Sequence, residues 1–330
     1  MRKIGFGFLA ASASAIAIAA TPAEAQSPET AEIVKIMRAN AGNPKWRPSG
    51  AKGQCFMGAY TPTADAAKLT SSLGFTQPNR VIVRLSVGGG NPKVPDATKT
   101  VNRGLSLRFD PGGKGETEFV TVNAPVNFVK SPAQMLAFLQ ARLPGADGKP
   151  DPEKIKAFTE ANPETTNQGK FLASLPVAGS WVGVNYWAVH NYTFTNAQGQ
   201  KQLVKFKFEP LAGVVALTDD EAKAKPADYL VDELKGRIAA KQPAGFNVVA
   251  IIGGRPGDEV INPTQRWADE DSRPTVTLGR IDITALEDNK TCDGQIFDPL
   301  NLAKGLEGPA NDPLFQARQP AYAVSISERL

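Results

Sequence analysis

The sequence contains very little histidine and very little cysteine. Its 330 residues include one histidine and two cysteines. A single imidazole excludes a two-histidine metal site and the HExxH zinc-protease motif. Two cysteines cannot supply the four ligands of a zinc finger or of an iron–sulfur cluster. These counts remove the common zinc and iron–sulfur classes of metalloprotein from consideration.

The chain also lacks a strong excess of charge of either sign. It has 37 basic and 33 acidic residues, a net charge of +4, and no basic block, so nucleic acid is not an expected partner. No window after the N-terminus is apolar enough to cross a bilayer, and we therefore expect no stable membrane association. An apolar fraction of 42% is typical of a globular protein and excludes a disordered or collagen-like chain.

The N-terminus has the three parts of a secretory signal peptide. Arg2 and Lys3 form a basic start, residues 5–20 are small and apolar, and an A-x-A motif ends at Ala25 before Gln26. The apolar stretch is too short, and its flanks are wrong, for a retained membrane span. We expect cleavage near Ala25/Gln26, and a periplasmic protein if the source is a Gram-negative bacterium.

Removal of residues 1–25 leaves residues 26–330, long enough for two domains or for one large β-rich domain. The sequence has no internal repeat, and residues 144–167 are the one candidate joint. Cys55 and Cys292 would enter an oxidising compartment as the only pair. They are either two buried free thiols or one disulfide, and export favours the disulfide.

Strand patterns dominate the mature chain. Alternating or continuous apolar runs predict strands, and helix starts of the Ser-Pro type at Ser27 and Ser131 predict two helices, with a third over about 227–239. The predicted strands cover residues 80–87, 118–122, 181–195, 202–209, 246–252 and 275–284. Because turns rather than helices join most of them, we expect an α+β protein with a large antiparallel β core.

The C-terminus contains the most informative pair of residues. Arg318 precedes Tyr322 by one helical turn, and a nearby cation favours the phenolate form of a tyrosine. A phenolate is the form that ligates a ferric haem. The ordinary alternative is a surface helix in which the arginine stacks on the tyrosine.

Several short segments, taken together and in order, resemble the catalase family over residues 47–329. The matching segments are Arg47-Pro48-Ser49-Gly50-Ala51-Lys52-Gly53, Val83-Arg84-Leu85-Ser86, Arg103-Gly104-Leu105, Asn123-Ala124-Pro125-Val126, His190 with Asn196-Ala197, Asn262-Pro263-Thr264 with Trp267, and residues 318–329. The short length and the signal peptide are most similar to the catalase-related peroxidases, a small-subunit branch of that superfamily.

The resemblance implies an eight-stranded antiparallel β-barrel with surrounding helices, which makes residues 26–330 one domain that binds haem b. Tyr322 takes the place of the axial iron ligand and Arg318 that of the arginine that holds its phenolate. His190 and Asp312 take the two further places of that proximal relay, although His190 could instead be a buried strand histidine with a backbone partner. The arginines at the haem propionates correspond to Arg47, Arg84 and Arg329.

The distal side departs from the family pattern. Gly50 stands where the catalytic histidine belongs, and Val122 stands where the first of two successive asparagines belongs. Asn123 occupies the second asparagine place, and Ser86 is the residue that would hydrogen-bond the missing imidazole. Asn127 and Met135 replace distal phenylalanines. No general base remains, and such a base contributes roughly 10²–10⁴-fold to peroxide cleavage.

We therefore expect an exported haem peroxidase that reduces hydrogen or organic peroxides with a small organic reductant, at low activity. One alternative is an enzyme that rearranges organic hydroperoxides, and another is a haem carrier or sensor without turnover. The chain ends one residue after Arg329, without the extensions that interlock the subunits of larger catalases. We therefore expect a monomer or a small homo-oligomer.

Overall fold

The computed structural model describes residues 1, 28–41, 45–327 and 329. The predicted signal peptide, its cleavage site and the helix start at Ser27 lie outside these residues. Within the described ranges, no helix combines the length and the apolar character needed to cross a membrane.

The described residues form short helices around a large sheet. The strands are β1 (Lys52–Pro62), β2 (Asn79–Val87), β3 (Arg103–Phe109), β4 (Thr117–Val122), β5 (Val177–Ala178), β6 (Tyr186–Thr195), β7 (Lys201–Pro210), β8 (Ala216–Leu217), β9 (Gly245–Ile252), β10 (Thr275–Glu287) and β11 (Leu306–Glu307). The helices are α1 (Pro28–Ala41), α2 (Ala66–Leu69), α3 (Leu73–Thr76), α4 (Pro132–Gln140), α5 (Pro152–Ala161), α6 (Asn167–Ser174), α7 (Asp219–Lys223), α8 (Tyr229–Ala239), α9 (Asn289–Asp293), α10 (Pro313–Gln316) and α11 (Arg318–Ser327). Short 3₁₀ turns cover Pro163–Thr166, Trp181–Gly183 and Glu270–Ser272.

Eight antiparallel strands close into a barrel, in the order β6-β4-β3-β2-β1-β10-β9-β7 and back to β6. Closure takes place at β6, where Trp187 pairs with Val122 of β4 on one side and with Lys207 of β7 on the other. The far end of β6 also pairs with the short strand β11. The predicted α+β fold with an eight-stranded barrel is confirmed.

The six predicted strand segments correspond to six of the eight barrel strands, with one local error. Residues 181–183 form a 3₁₀ turn rather than the start of β6. Strands β1 and β3 were not predicted as strands. In β1 the alternation is interrupted at Gly58, where a Cβ would lie 2.6 Å from the carbonyl oxygen of Asp282. The close approach of the neighbouring strand requires glycine there and hides the pattern.

Aromatic side chains fill the barrel. Phe75, Phe109, Phe119 and Phe206 are fully buried, and Phe75 stacks on Phe206 with ring centroids 5.7 Å apart. Each such phenylalanine contributes about 1.5–3 kcal/mol through burial. The inside of the barrel is therefore a packed core, and space for a ligand lies between its outer wall and the helices.

A disulfide joins Cys55 of β1 to Cys292 of α9 across 237 residues of sequence. This confirms the predicted bridge. In the sheet Cys55 lies opposite Arg84 of β2, so the bridge attaches α9 beside one of the candidate propionate arginines.

Candidate functional site

Four side chains form a hydrogen-bonded relay that ends at Tyr322. The Nδ1–H of His190 donates to Oδ2 of Asp312 at 2.6 Å, and Nη1 of Arg318 donates to Nε2 of His190 at 3.2 Å. Nε of the same guanidinium donates to the Tyr322 hydroxyl oxygen at 3.1 Å. The structure thus brings together the four residues predicted for the proximal side.

The local sequence positions each member of this relay. Arg318 and Tyr322 lie one turn apart on α11, and the buried His190 lies on β6, 2% exposed. Asp312 caps α10 by accepting the N–H groups of Leu314 and Phe315 at 2.9 and 3.0 Å. Its two oxygens therefore serve two purposes, since Oδ1 holds the helix start and Oδ2 orients the imidazole.

Burial and charge keep the imidazole neutral. Burial and the nearby Arg318 cation lower the pKa of His190. Burial is the largest single influence on the pKa of Asp312 and raises it, but the interactions with His190 and the hydrogen bonds from the Phe315 and Leu314 N–H groups together outweigh burial, and the pKa is lowered. A neutral imidazole that donates from Nδ1 presents a lone pair at Nε2, which accepts the Arg318 proton. The guanidinium is thereby held with its Nε–H directed at Tyr322.

Three arginines lie close together beyond the relay. Nη2 of Arg47 donates to the Cys292 carbonyl at 2.6 Å, and Nη1 of Arg329 donates to the Asp293 carbonyl at 3.4 Å. Burial, with mutual repulsion, lowers the pKa of Arg84 to about 9 and that of Arg329 to about 10. Asp293 approaches this cluster but is 55% exposed, with its oxygen 3.4 Å from Nε of Arg47. Sequence reasoning missed Asp293, although its position next to Cys292 could have indicated it.

The relay and the arginine cluster face the same space, here called the inner cavity. Its apolar half has a volume of about 260 Å³ and its cationic half about 230 Å³. Both halves are lined by Arg47, Asn127, Arg318 and Tyr322. The apolar half is covered by α1, through Ile33, Val34 and Met37, which the sequence did not assign to the site. The combined space falls within the range of roughly 300–1,000 Å³ seen for ligand sites.

Gly50 and Ser86 lie together in the cationic half. A Cβ at Gly50 would lie 3.2 Å from Oγ of Ser86, and the glycine has a φ of +63°. This left-handed conformation is strained for most side chains, although histidine is among those that adopt it more often. The predicted neighbourhood of Gly50 and Ser86 is present.

Asn123 is not brought to the inner cavity. Its Oδ1 accepts the backbone N–H of Arg103 at 2.7 Å, and it lines a separate cavity of about 70 Å³. The family resemblance made Asn123 a catalytic candidate because it occupies the second of the two asparagine places, next to Val122 at the first. In a strand successive side chains point to opposite faces, and Val122 takes the cavity side. This placement speaks against a catalytic role for Asn123. Asn127 and Met135 do line the cavity.

Comparison with known sequences finds similarity to the catalase family. The profile of the family described as "Catalase" matches residues 33–330. A catalase-related peroxidase of Synechococcus elongatus is 37% identical over 282 residues, covering 84% of this chain and 81% of that protein. A catalase-related peroxidase of Mycolicibacterium paratuberculosis is 27% identical over 311 residues, covering 90% of this chain and 94% of that protein.

Comparison with solved structures agrees at the level of the fold. A bacterial catalase aligns with a TM-score of 0.76 at 23% identity, covering 96% of this chain. Catalase A of Saccharomyces cerevisiae aligns with a TM-score of 0.75 at 20% identity, covering 90% of this chain. The chain spans 63% of the length of each of these two catalases. Its sequence matches and its barrel together show that the chain belongs to the catalase family, whose members are generally haem-dependent.

Proposed function

We propose that this chain is an exported haem-binding peroxidase of the catalase-related type. It would reduce hydrogen peroxide or organic peroxides with a small organic reductant. The observation that carries the proposal is the relay from Asp312 to Tyr322, which opens into the same cavity as the cluster of Arg47, Arg84 and Arg329. Membership of the catalase family and the similarity to two catalase-related peroxidases support it.

The residues around the inner cavity fit haem b. A group with an apolar face and two carboxylates suits a cavity with one apolar half and one cationic half. Within the described residues, Nε of Arg84 is buried and lacks a hydrogen-bond partner, which is costly unless an anion is bound. Arg47, Arg84 and Arg329 would hold the propionates, and Tyr322 would ligate the iron. Haem bound in this way would supply the redox chemistry with peroxide.

The residues of the relay stabilise negative charge on Tyr322 and keep the Arg318 guanidinium in position beside it. The Arg318 cation, 3.1 Å away through Nε, stabilises negative charge on the Tyr322 oxygen. His190 and Asp312 keep that guanidinium in place without adding a positive charge to the relay, because the imidazole is neutral. Phe315 packs edge-on against the imidazole, with ring centroids 5.0 Å apart, and excludes water from this part of the relay.

The opposite side of the cavity lacks a proton shuttle. We place the missing distal histidine at Gly50, next to Ser86. Among the described residues that line the inner cavity there is no aspartate or glutamate, and both ring nitrogens of His190 are engaged. Ser49, Ser86 and Asn127 can orient a peroxide by hydrogen bonds but cannot accept its proton near neutral pH. We therefore expect slow turnover with hydrogen peroxide, because a base contributes roughly 10²–10⁴-fold.

The missing shuttle also favours a second function, rearrangement of an organic hydroperoxide. Such a reaction consumes no external reductant and takes place within one bound molecule. A haem carrier or sensor without turnover is the non-enzymatic alternative, and in that case the proximal residues would serve haem binding alone.

Stopped-flow mixing separates these three functions. The haem-loaded protein is mixed with hydrogen peroxide and, separately, with a lipid hydroperoxide, each with and without the reductant guaiacol. Guaiacol oxidation that depends on peroxide supports the peroxidase. Product from the lipid hydroperoxide without guaiacol supports rearrangement. A haem spectrum that stays unchanged with both peroxides contradicts both enzymatic functions and supports the carrier.

Export to the periplasm and a small assembly complete the proposal. The basic start, the apolar stretch and the A-x-A motif of residues 1–25 support export, and mass spectrometry of the secreted protein tests cleavage near Ala25/Gln26. Sedimentation of the mature protein tests whether it is a monomer or a small homo-oligomer.

A further inference from the structure

A second cleft lies on the outer side of the arginine cluster, and we call it the outer cleft. Its volume is about 350 Å³, and its lining includes Lys45, Trp46, Arg47, Lys290, Asp293 and Arg329. Arg47 and Arg329 also line the cationic half of the inner cavity. These two arginines therefore line both the outer cleft and the inner cavity, and they separate the one space from the other.

The outer cleft is strongly cationic. Four of its described lining residues are basic, and Asp293 is the acidic one. Asp293 is also the carboxylate that approaches the cluster, with its oxygen 3.4 Å from Nε of Arg47 and 4.0 Å from Nε of Arg84. Clustered charges of one sign in a cleft attract and concentrate small ions of the opposite sign.

Haem propionates would not satisfy all of these charges. Two carboxylates placed against Arg47, Arg84 and Arg329 would offset two of the three guanidinium charges. Lys290 is exposed on the outer side and does not line the inner cavity. The cleft therefore keeps the Lys290 cation for a second anion after the inner cavity is filled.

The lining also provides a surface for a ring. Trp46 is half-buried in the same cleft, and an indole packs well against a flat aromatic molecule. A cleft of about 350 Å³ has the volume of a small-molecule site. Cations around an aromatic wall select a small aromatic anion over a neutral ring of the same size.

We propose that the outer cleft binds the reductant, and that the reductant is a small aromatic anion such as a phenol that carries a carboxylate. This rests on the proposed peroxidase function. Reduction of one peroxide, ROOH, to ROH and water needs two electrons and two protons. Two phenol molecules supply them, because each phenolic O–H gives up one electron and one proton and leaves a phenoxyl radical. The carboxylate of the reductant is unchanged and serves to bind it.

The test compares two donors and two lysines. The anionic donor is 4-hydroxybenzoate and the neutral donor is 4-hydroxybenzamide, and the two share a phenol ring. Lys290→Glu reverses a charge in the cleft, and Lys304→Glu makes the same change at an exposed lysine that lines neither cavity. Equilibrium dialysis with the haem-loaded protein measures how tightly each donor binds, and steady-state oxidation measures the donor concentration that gives half-maximal turnover.

In Lys290→Glu we expect the anionic donor to bind roughly three- to tenfold more weakly. Its half-saturating concentration in turnover should rise by the same factor, and high salt should reduce both effects. The neutral donor should behave as in the parent protein, and Lys304→Glu should change neither donor. Equal effects of the two variants, or equal effects on the two donors, would overturn the site. If no donor is oxidised at all, the peroxidase function fails, while the dialysis still decides whether the cleft binds the anion.

Discussion

His190 donates its Nδ1 proton to Asp312 across 2.6 Å, although 122 residues separate the two in sequence. The same carboxylate caps α10, so the start of a helix and the orientation of an imidazole depend on one side chain. Arg318 contacts the other ring nitrogen and also donates to Tyr322. A substitution of His190 or Asp312 should therefore alter the hydrogen bond to Tyr322.

The first prediction concerns the axial ligand. Tyr322→Phe removes the oxygen that accepts from Arg318 and should abolish the tyrosinate charge-transfer absorption of the haem-loaded protein and weaken haem retention. Absorption spectra and haem transfer to apomyoglobin measure both. Tyr60→Phe, which removes the same atom inside the barrel core, should leave the spectrum unchanged. An unaltered spectrum in Tyr322→Phe would reject the assignment.

The second prediction concerns how the free energy of unfolding depends on pH. The chain has one histidine, so a change near the pKa of imidazole can be assigned to His190. The pKa of His190 is lowered by burial, so the unfolded chain binds a proton below about pH 6.5 that the folded chain does not. The free energy of unfolding therefore falls as the pH drops through that value. The Asp312 contribution, from a lowered pKa, is lost only at more acidic pH.

His190→Gln should remove this histidine component. Between pH 7.5 and pH 5.5 the melting temperature should fall less in the variant than in the parent protein, measured by circular dichroism. His190 contacts Arg318, which in turn contacts Tyr322. The variant should therefore perturb the haem spectrum more than the rate of the peroxide reaction, although glutamine can also donate and accept hydrogen bonds. Equal falls in melting temperature would count against a buried neutral imidazole.

The third prediction separates two asparagines four residues apart. Asn123→Ala leaves the buried N–H of Arg103 without its acceptor and should cost about 1–3 kcal/mol of unfolding free energy, without slowing the peroxide reaction. Asn127→Ala, in the inner cavity, should slow that reaction roughly tenfold, which corresponds to about 1.4 kcal/mol. Urea unfolding and stopped-flow rates measure the two effects. If Asn123→Ala slowed the peroxide reaction and Asn127→Ala did not, Asn123 and not Asn127 would act on the peroxide.

The fourth prediction restores a base. Gly50→His should bring an imidazole next to Ser86, whose Oγ would lie 3.2 Å from the new Cβ, and should recover part of the roughly 10²–10⁴-fold that a shuttle supplies. The φ of +63° should cost about 1–3 kcal/mol of stability. Gly50→Ala carries the strain without the base and should gain no activity. If both variants react alike with peroxide, Gly50 is not the distal position.

The fifth prediction concerns the disulfide. Thiol titration of the unfolded, non-reduced protein should find no free thiol, since Cys55 is bonded to Cys292. Cys55→Ala combined with Cys292→Ala should lower the free energy of unfolding by about 2–4 kcal/mol. It should also weaken haem retention, because Cys292 and Asp293 contact Arg47. Two free thiols in the parent protein would disprove the bridge.

The chemistry available to this protein could be predicted from its amino-acid sequence. Its single histidine and two cysteines, the spacing of Arg318 and Tyr322, and the ordered segments from Arg47 onward were enough to predict the family and the barrel. The start of α4 could also be predicted from the sequence, because Ser131 is followed by Pro132. In the structure the Ser131 side chain accepts the N–H of Gln134. Such features depend on neighbours within one helical turn, and a local pattern contains them.

Which of these residues contact one another depends on how segments far apart in the chain pack together. Closure of the barrel at β6 brings His190 to Asp312 and Arg318, and the sheet register places Cys55 beside Arg84. The same register turns Val122 to the inner cavity and Asn123 away from it. The outer cleft combines Trp46, Lys290 and Arg329 from distant segments. Pairing between strands far apart in sequence leaves no periodic trace in either strand, and for this reason the site's shape could not be predicted from the chain alone.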